Sequence, residues 1–270
     1  MRGQAYSSIW MELLDFPLSG RLSKPRTQGL TMVIDKGLGL HETKDLLHTA
    51  GAYIDFIKLG FGTSGLYPRD LLEEKIHLVK ACGIDIYPGG TFLEIAVLQG
   101  KLKDYLAYAR DLGYTAVEIS DGTIKMPPEV REQAIGMALE HDLKVLTEVG
   151  NKDPRDRVEV GRYIEQILSD LEQGAFKVIL EGRESGKGAG FYDPEGRFLA
   201  DDVEQVLAAV GDPQPLIWEA PLKQQQLELI LRFGPNVNLG NIAPAELLSL
   251  EALRVGLRGD TLRPICRESV

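Results

Sequence analysis

The sequence predicts an α/β fold, a (β/α)8 TIM barrel with a short N-terminal extension, and two observations carry that prediction. Eight short apolar runs recur along the chain, starting near Leu30, Ile54, Ile84, Ala116, Lys144, Phe176, Leu216 and Asn236. Most of them are uniformly apolar, which is typical of parallel strands covered on both faces. Helical patterns fill the gaps between the runs. Eight strand–helix units match a barrel of about 250 residues, and a doubly wound open sheet is the alternative.

The spacing of apolar residues predicts the helices, at 68–82, 102–112, 156–174, 201–210, 222–233 and 245–257. A further helix is expected to begin at Pro127-Pro128, because proline is favoured in a first turn. The barrel then covers 30–262, between an N-terminal arm of residues 1–29 and a C-terminal tail of residues 263–270.

The arm carries a cluster of charge at Arg21, Lys24, Pro25 and Arg26. Three interpretations are open for it. The charges are solvated, or the arm plugs the barrel, or it contacts the active site of a neighbouring subunit.

The composition narrows the class of protein. The 270 residues are 44% hydrophobic and 26% charged, as in ordinary globular proteins, and the net charge of −10 argues against a nucleic-acid binder. Cys82 and Cys266 form no disulfide framework and no zinc spacing, which fits a cytoplasmic protein. No apolar run approaches the ~20 residues of a membrane helix, and no signal-peptide pattern opens the chain, so no membrane partner is expected.

Five apolar runs end in a carboxylate, at Asp35, Glu118, Glu148, Glu181 and Glu219. The carboxyl ends of barrel strands build the active site, so this recurrence predicts a catalytic cavity. Several carboxylates at one barrel mouth repel each other unless a cation lies among them. An oxygen-rich set with no cysteine or histidine at a strand end suits Mg²⁺ better than zinc.

Cationic residues follow the same strands and predict an anionic ligand. The segment 178–190 ends an apolar run with a charged, glycine-rich loop that carries Arg183 and Lys187. We expect a flexible loop of this kind to bind an anion or a metal.

Two further features at strand ends leave alternatives open. Lys58 lies inside an apolar run, so its ammonium needs either a ligand, shared with Lys36, or a barrel carboxylate such as Glu118. Gly89 and Gly90 follow the third run and offer either backbone N–H groups to an anion or a plain turn.

Several common site types are not indicated. The segment Gly186-Lys187-Gly188 is no phosphate-binding P-loop, because no serine or threonine follows its lysine. No Gly-x-Gly-x-x-Gly motif follows a strand in a dinucleotide-binding context. The four histidines fall in or near predicted helices, so a histidine general base is not expected: His41, His48, His77 and His141.

At these loops the sequence resembles the phosphosulfolactate synthase family. The resemblance covers residues 27–261, and the matching stretches are VIDKGL (33–38), YIDFIK (53–58), GFGTS (60–64), YPGGT (87–91), AVEISDG (116–122), LTEVG (146–150), EGRESGKG (181–188), EAP (219–221) and GLRGDT (256–261). It implies a (β/α)8 barrel, a homo-oligomer and a carbon–sulfur lyase that adds sulfite to phosphoenolpyruvate with Mg²⁺. The implied product is (2R)-2-O-phospho-3-sulfolactate, on a route to coenzyme M in methanogens and to sulfolactate in some bacteria.

That implied reaction assigns hypothetical roles to the strand-end residues. Glu118, Glu148 and Glu181 are expected to hold Mg²⁺, and Lys152 is expected to protonate C2 of an enediolate intermediate. Lys36 and Lys58 are expected to act as catalytic cations. Substrate binding is assigned to a larger set: Arg183, Lys187, Gly89, Gly90, Ser120 and Asn241.

Two other functions stay open. One is a different phosphoenolpyruvate or 2-oxoacid barrel enzyme that uses the same enolate chemistry. The other is a non-catalytic sensor of an anionic metabolite, against which the full set of five strand-end acids weighs.

Overall fold

A single sheet of eight parallel strands forms the centre of the computed structural model, which describes residues 9–151, 155 and 158–268. The strands are β1 (Thr31–Asp35), β2 (Phe56–Leu59), β3 (Asp85–Pro88), β4 (Ala116–Ile119), β5 (Lys144–Val149), β6 (Lys177–Leu180), β7 (Leu216–Glu219) and β8 (Leu239–Ile242).

The sheet closes almost completely on itself. Its hydrogen-bonded order is β3-β2-β1-β8-β7-β6-β5-β4, so the first and last strands of the chain are neighbours. Between β3 and β4, the Thr115 N–H donates to Ile86 O at 3.2 Å, and the Ile86 N–H donates to Thr115 Oγ1 at 3.0 Å. The predicted (β/α)8 barrel is therefore confirmed, and the open sheet is not formed.

Helices surround the sheet. They are α1 (Leu40–Ala50), α2 (Arg69–Ala81), α3 (Gly90–Leu98), α4 (Leu102–Leu112), α5 (Pro128–Glu140), α6 (Val160–Glu172), α7 (Ala200–Val210), α8 (Lys223–Phe233), α9 (Leu247–Arg254) and α10 (Gly259–Glu268). In the described part of the chain, none of them is long and apolar enough to span a bilayer.

The predicted helices all occur. Helix α4 has the predicted ends and the others have shifted ends, although residues 156 and 157 of the helix predicted at 156–174 lie outside the described part. Helices α1, α3 and α10 are additions. The α3 sequence, GTFLEIAVL, is apolar on nearly every side and so shows no helical stripe. It lies directly after β3, where its first residue enters the candidate site. Helix α9 is shorter than predicted, because Gly256 adopts a left-handed backbone with φ of 79° soon after it ends.

Apolar side chains fill the lower interior of the barrel. This cluster contains Leu30, Met32, Phe56, Tyr87, Ala116, Leu146, Ile179 and Ile217, all at most 2% exposed. Because side chains alternate along a strand, the residue two positions further on also faces inward. Lys58, Glu118, Glu148, Glu181 and Glu219 occupy those positions, one layer closer to the carboxyl ends.

The arm closes the opposite end of the barrel. Arg26 pairs with Asp55, just before β2, at 2.7 Å, and Arg21 pairs with Glu251 at 2.7 Å. The two arginine side chains are only 2% and 7% exposed, so the expectation of solvated charge is wrong for them. Both arginines form ion pairs at the base of their own barrel. This agrees with the interpretation of the arm as a plug and not with a contact to the active site of a neighbouring subunit.

Replacing Arg26 with methionine tests this plug. We expect the free energy of unfolding to fall by about 3 kcal/mol, because Asp55 is left buried without its partner. Urea denaturation measures the loss. Arg69→Met is the matched control, since its pair with Glu73 is exposed and contributes little to stability. Equal losses in the two variants would contradict a buried plug.

Candidate active site

One ammonium group organises the carboxyl end of the barrel. Lys58 Nζ, from β2, lies 2.9 Å from Glu118 Oε2, 3.2 Å from Glu148 Oε2 and 3.3 Å from Glu219 Oε1. The three glutamates come from β4, β5 and β7, so the lysine spans the barrel interior. The carboxylates are at most 2% exposed and the lysine side chain is 10% exposed. The barrel-carboxylate partner expected for Lys58 is therefore confirmed.

The ionisation of this group follows from its surroundings. Burial lowers the pKa of Lys58, but Glu118, Glu148 and Glu219 more than offset it and hold that pKa well above the usual value. Lys58 therefore stays an ammonium and cannot serve as a base near neutral pH.

Glu118 has a strongly perturbed protonation equilibrium. Burial raises its pKa to about 7, against the lowering effect of Lys58 and with a further increase from Glu148 and Glu219. The Gly90 N–H, at the start of α3, donates to Glu118 Oε1 at 2.7 Å. Glu118 is thus fixed by β4, by Lys58 and by the first turn of α3.

A second grouping of acids could hold a metal. Carboxylate oxygen atoms of Glu148, Glu181 and Glu219 lie within 4.8 Å of one another, and all three side chains are buried. The predicted set had Glu118 in place of Glu219. Lys58 contacts two of these acids, Glu148 and Glu219. Three buried carboxylates whose oxygen atoms lie this close together fit a hard divalent cation such as Mg²⁺.

Asp35 does not belong to the site. Like Val33, it faces outward from β1, where it forms an ion pair with the fully buried Lys75 of α2. Its Oδ1 also accepts the N–H groups of Gly37 and Leu38, both at 2.8 Å. The expected set of five strand-end acids at the mouth is therefore wrong, and four of them converge there.

Part of the loop after β6 is packed against the barrel. Phe191 and Tyr192 are buried, and the Tyr192 hydroxyl donates to Glu219 O at 2.6 Å. Gly190 has φ of 54°, and a Cβ there would lie 1.8 Å from Glu181 O, so only glycine fits.

The cations expected in this region lie at the rim. Arg183 and Lys187 are exposed, and the Arg183 N–H donates to Glu181 Oε1 at 2.5 Å. Lys36 is also exposed, with Nζ 3.7 Å from Glu184 Oε2, in a surface pair that contributes little to stability. Lys36 thus bridges the loops after β1 and β6 rather than entering the buried cluster.

Several predicted substrate-binding groups already have partners within the protein. The Gly89 N–H donates to Leu59 O at 3.0 Å, and that of Gly90 donates to Glu118. The Ser120 hydroxyl, fully buried, donates to Glu94. The free N–H groups expected at Gly89 and Gly90 are therefore used to build the site.

Asn241 has an unusual environment. It adopts φ of 54° and is 3% exposed, and no donor in the described structure reaches its Oδ1. The pairing of β8 with β1 moves from Thr31–Leu239 to Val33–Ile242, so Gly240 and Asn241 both lie opposite the inward-facing Met32. Such bulges reorient side chains at barrel rims.

Two supporting residues carried no sequence signal. Glu94 of α3 accepts the N–H groups of Thr123 and Ile124, both at 3.0 Å, and so shapes the loop after β4. Arg131 of α5 pairs with Asp170 and donates to Glu148 O at 3.1 Å. In the sequence, Arg131 reads as an ordinary helix residue, and Glu94 lies in a segment for which no helix is predicted. Lys152, the expected acid, lies outside the described residues.

Comparison with known proteins assigns this barrel to a family. The pattern of the (2R)-phospho-3-sulfolactate synthase (ComA) family matches residues 19–260. The chain belongs to the phosphosulfolactate synthase family. It is 44% identical over 254 residues to the phosphosulfolactate synthase of Methanothermobacter thermautotrophicus, covering 93% of this chain and 98% of that protein. With that of Methanocaldococcus jannaschii it shares 48% identity over 236 residues, 87% of this chain and 94% of that protein.

Among solved structures the barrel is similar to a 3-hexulose-6-phosphate synthase. The TM-score is 0.54 at 14% identity, covering 84% of this chain and 99% of that chain. This likeness concerns the fold alone. The part matched to the phosphosulfolactate synthase family, by contrast, takes in both the plugged base, with Arg21 and Arg26, and the acids of the mouth.

In this member of the phosphosulfolactate synthase family, Glu118 should make stability depend on pH. Its folded pKa of about 7 lies above the ordinary 4.5, so between these values the folded protein keeps a proton that the unfolded chain releases. The stability that Glu118 contributes therefore falls as the pH rises through this window. Glu118→Gln does not titrate, so its free energy of unfolding relative to the native chain should increase with pH, by about 3 kcal/mol across this window.

Urea denaturation of both proteins at a series of pH values, without added metal, measures this difference. Glu132→Gln, an exposed acid on α5, is the control and should show a constant difference. A difference that stays constant for Glu118→Gln as well would contradict the raised pKa.

Proposed function

We propose that the chain adds sulfite to C3 of phosphoenolpyruvate, with Mg²⁺, and forms (2R)-2-O-phospho-3-sulfolactate through an enediolate. The single observation that carries this proposal is the buried acid cluster beside Lys58, beneath a rim of cations, in a chain of this family. Both substrates are anions, and the site combines a place for a divalent cation with exposed Arg183 and Lys187.

The reaction needs little activation of sulfite, which is already a good nucleophile. Its sulfur lone pair forms the C3–S bond, and the C2–C3 π electrons move toward the carboxylate, which becomes an enediolate. A proton then reaches C2 on one face and sets the configuration. The barrier therefore lies in the charge that develops on the carboxylate and in delivering that proton.

The residues that would hold Mg²⁺ are Glu148, Glu181 and Glu219. When bound, the ion supplies positive charge that stabilises the developing enediolate. Lys58 contacts Glu148 and Glu219 directly and remains a fixed positive charge beside them. This arrangement is preorganised, so little reorientation is needed as charge moves.

The rim cations would bind the anionic ends of the substrates. Arg183 and Lys187 supply charge for phosphate and sulfite, and Asn241 offers a buried carboxamide beside β7. Lys152, on the loop after β5, is the proposed acid for C2, since that loop begins next to Glu148. Cytoplasmic location, homo-oligomerisation and a place before coenzyme M or sulfolactate belong to the same proposal.

Phosphorus NMR of phosphoenolpyruvate mixed with sulfite and the protein tests the proposed function. We expect a new phosphomonoester signal that needs both sulfite and Mg²⁺ and that disappears when the metal is chelated. Consumption of phosphoenolpyruvate without sulfite would favour another enolate enzyme instead. Binding of phosphoenolpyruvate with no turnover would favour a sensor.

Lys152→Met tests the acid. We expect kcat to fall about 100-fold or more, since general acid catalysis contributes roughly 10²–10⁴, while the Kd for phosphoenolpyruvate changes by less than about threefold. Steady-state kinetics and calorimetry give the two quantities. Lys101→Met, an exposed lysine just before α4, is the control and should keep both values. Full turnover by Lys152→Met would remove Lys152 from the mechanism.

A further inference from the structure

Three consecutive glutamines open helix α8, and they differ sharply in environment. Gln224 is exposed, whereas Gln225 and Gln226 are 1% and 2% exposed. Burying a carboxamide is costly unless its donors and acceptor are satisfied. The partners of the two buried glutamines therefore indicate why polar residues occupy these positions.

Gln225 ties together two distant points of the loop after β6. Its Nε2 donates to Gly186 O at 2.7 Å and to Gly196 O at 3.0 Å. Its Oε1 accepts the N–H of Leu222, at the start of α8, at 3.1 Å. One side chain thus uses both donors on the loop and its acceptor on its own helix, which leaves no freedom to rotate.

The loop is shaped to receive this side chain. Gly186 and Gly196 have φ of 66° and 88°, which favours glycine at both positions. A Cβ on Gly186 would lie 2.8 Å from Gln225 Oε1, and one on Gly196 would lie 2.9 Å from Gly186 O. The two ends of the segment 186–196 are therefore held close together by hydrogen bonds to the same Gln225 carboxamide.

The segment 186–196 contains Lys187 and also contacts the end of β7, beside the acid cluster. Gly188 N–H donates to Asp193 O at 2.8 Å within it, and the Tyr192 hydroxyl donates to Glu219 O. Gln226 makes a parallel contact, donating to Ala220 O at 3.0 Å, directly after Glu219. The first turn of α8 thus contacts both the cationic loop and the end of β7.

We propose that Gln225 is a positioning residue for anion binding, which fixes the segment 186–196 and thereby holds Lys187 at the barrel mouth. It acts through the loop and does not touch the substrate. The identity of the anion rests on the proposed function, whereas the control of the loop by Gln225 does not.

Gln225→Met is the test, because methionine has nearly the same shape but no donor. Hydrogen exchange of the backbone amides in residues 183–199 is measured by mass spectrometry, and KM and kcat are measured for phosphoenolpyruvate and sulfite. We expect exchange in 183–199 to become at least tenfold faster, and KM for one of the anions to rise about tenfold, with kcat changed less than threefold. Gln224→Met, with the same substitution on the exposed neighbour, should match the native chain in all readouts.

Gln225→Asn provides a second variant if the methionine form does not fold, since the amide is kept but drawn back by one methylene group. Unchanged exchange in 183–199 in the folded variant would overturn the role of Gln225 in fixing the loop. Faster exchange with unchanged KM would overturn its role in anion binding. If the native chain shows no reaction with sulfite, the proposed function fails, while the exchange experiment still decides whether Gln225 holds the loop.

Discussion

The contact of Lys58 with three buried carboxylates is the interaction on which the rest of the mouth depends. Glu118, Glu148 and Glu219 would repel one another in a low-dielectric interior if no cation lay between them. One ammonium contacts all three carboxylates, and two features of the acids are found beside it. Burial and the neighbouring acids raise the pKa of Glu118, and carboxylate oxygen atoms of Glu148, Glu181 and Glu219 lie within 4.8 Å of one another.

The loops above this cluster are positioned by polar contacts between neighbouring strand ends. Gly182 N–H donates to Glu219 Oε2 at 3.0 Å, which connects the loop after β6 with the end of β7. Burial raises the pKa of Tyr192 well above its usual value, so its hydroxyl stays protonated and keeps donating to Glu219 O. The acids of the mouth therefore serve as anchors for the loops as well as candidates for chemistry.

The two ends of the barrel differ in the residues that they contain. The candidate active-site residues lie at the carboxyl ends of the strands, and the residues that close the barrel lie at the other end. Apolar side chains and the buried Arg26–Asp55 pair close the base, where no substrate path is needed. At the opposite end, five strands place a charged residue at the next inward position: Lys58, Glu118, Glu148, Glu181 and Glu219. This polarity follows from the parallel strands, which bring all their carboxyl ends to one face.

The sequence by itself determined the barrel, the approximate strands, the acids that end them and the family. Repeated apolar runs and strand-end charges are local features, so they can be read without a structure. The sequence did not reveal which acids face inward. The strands are buried on both faces, so a uniformly apolar run does not show which of its alternate positions enters the barrel.

Only the tertiary structure decided how the strand-end groups are used. Asp35 turns outward to Lys75, Glu219 lies close to Glu148 and Glu181, and Gly90 donates to a carboxylate instead of remaining free. In each case the partner comes from an element distant in sequence. The role of such a residue is set by which partner the closed barrel brings within hydrogen-bond distance, and that distance is a property of the whole fold.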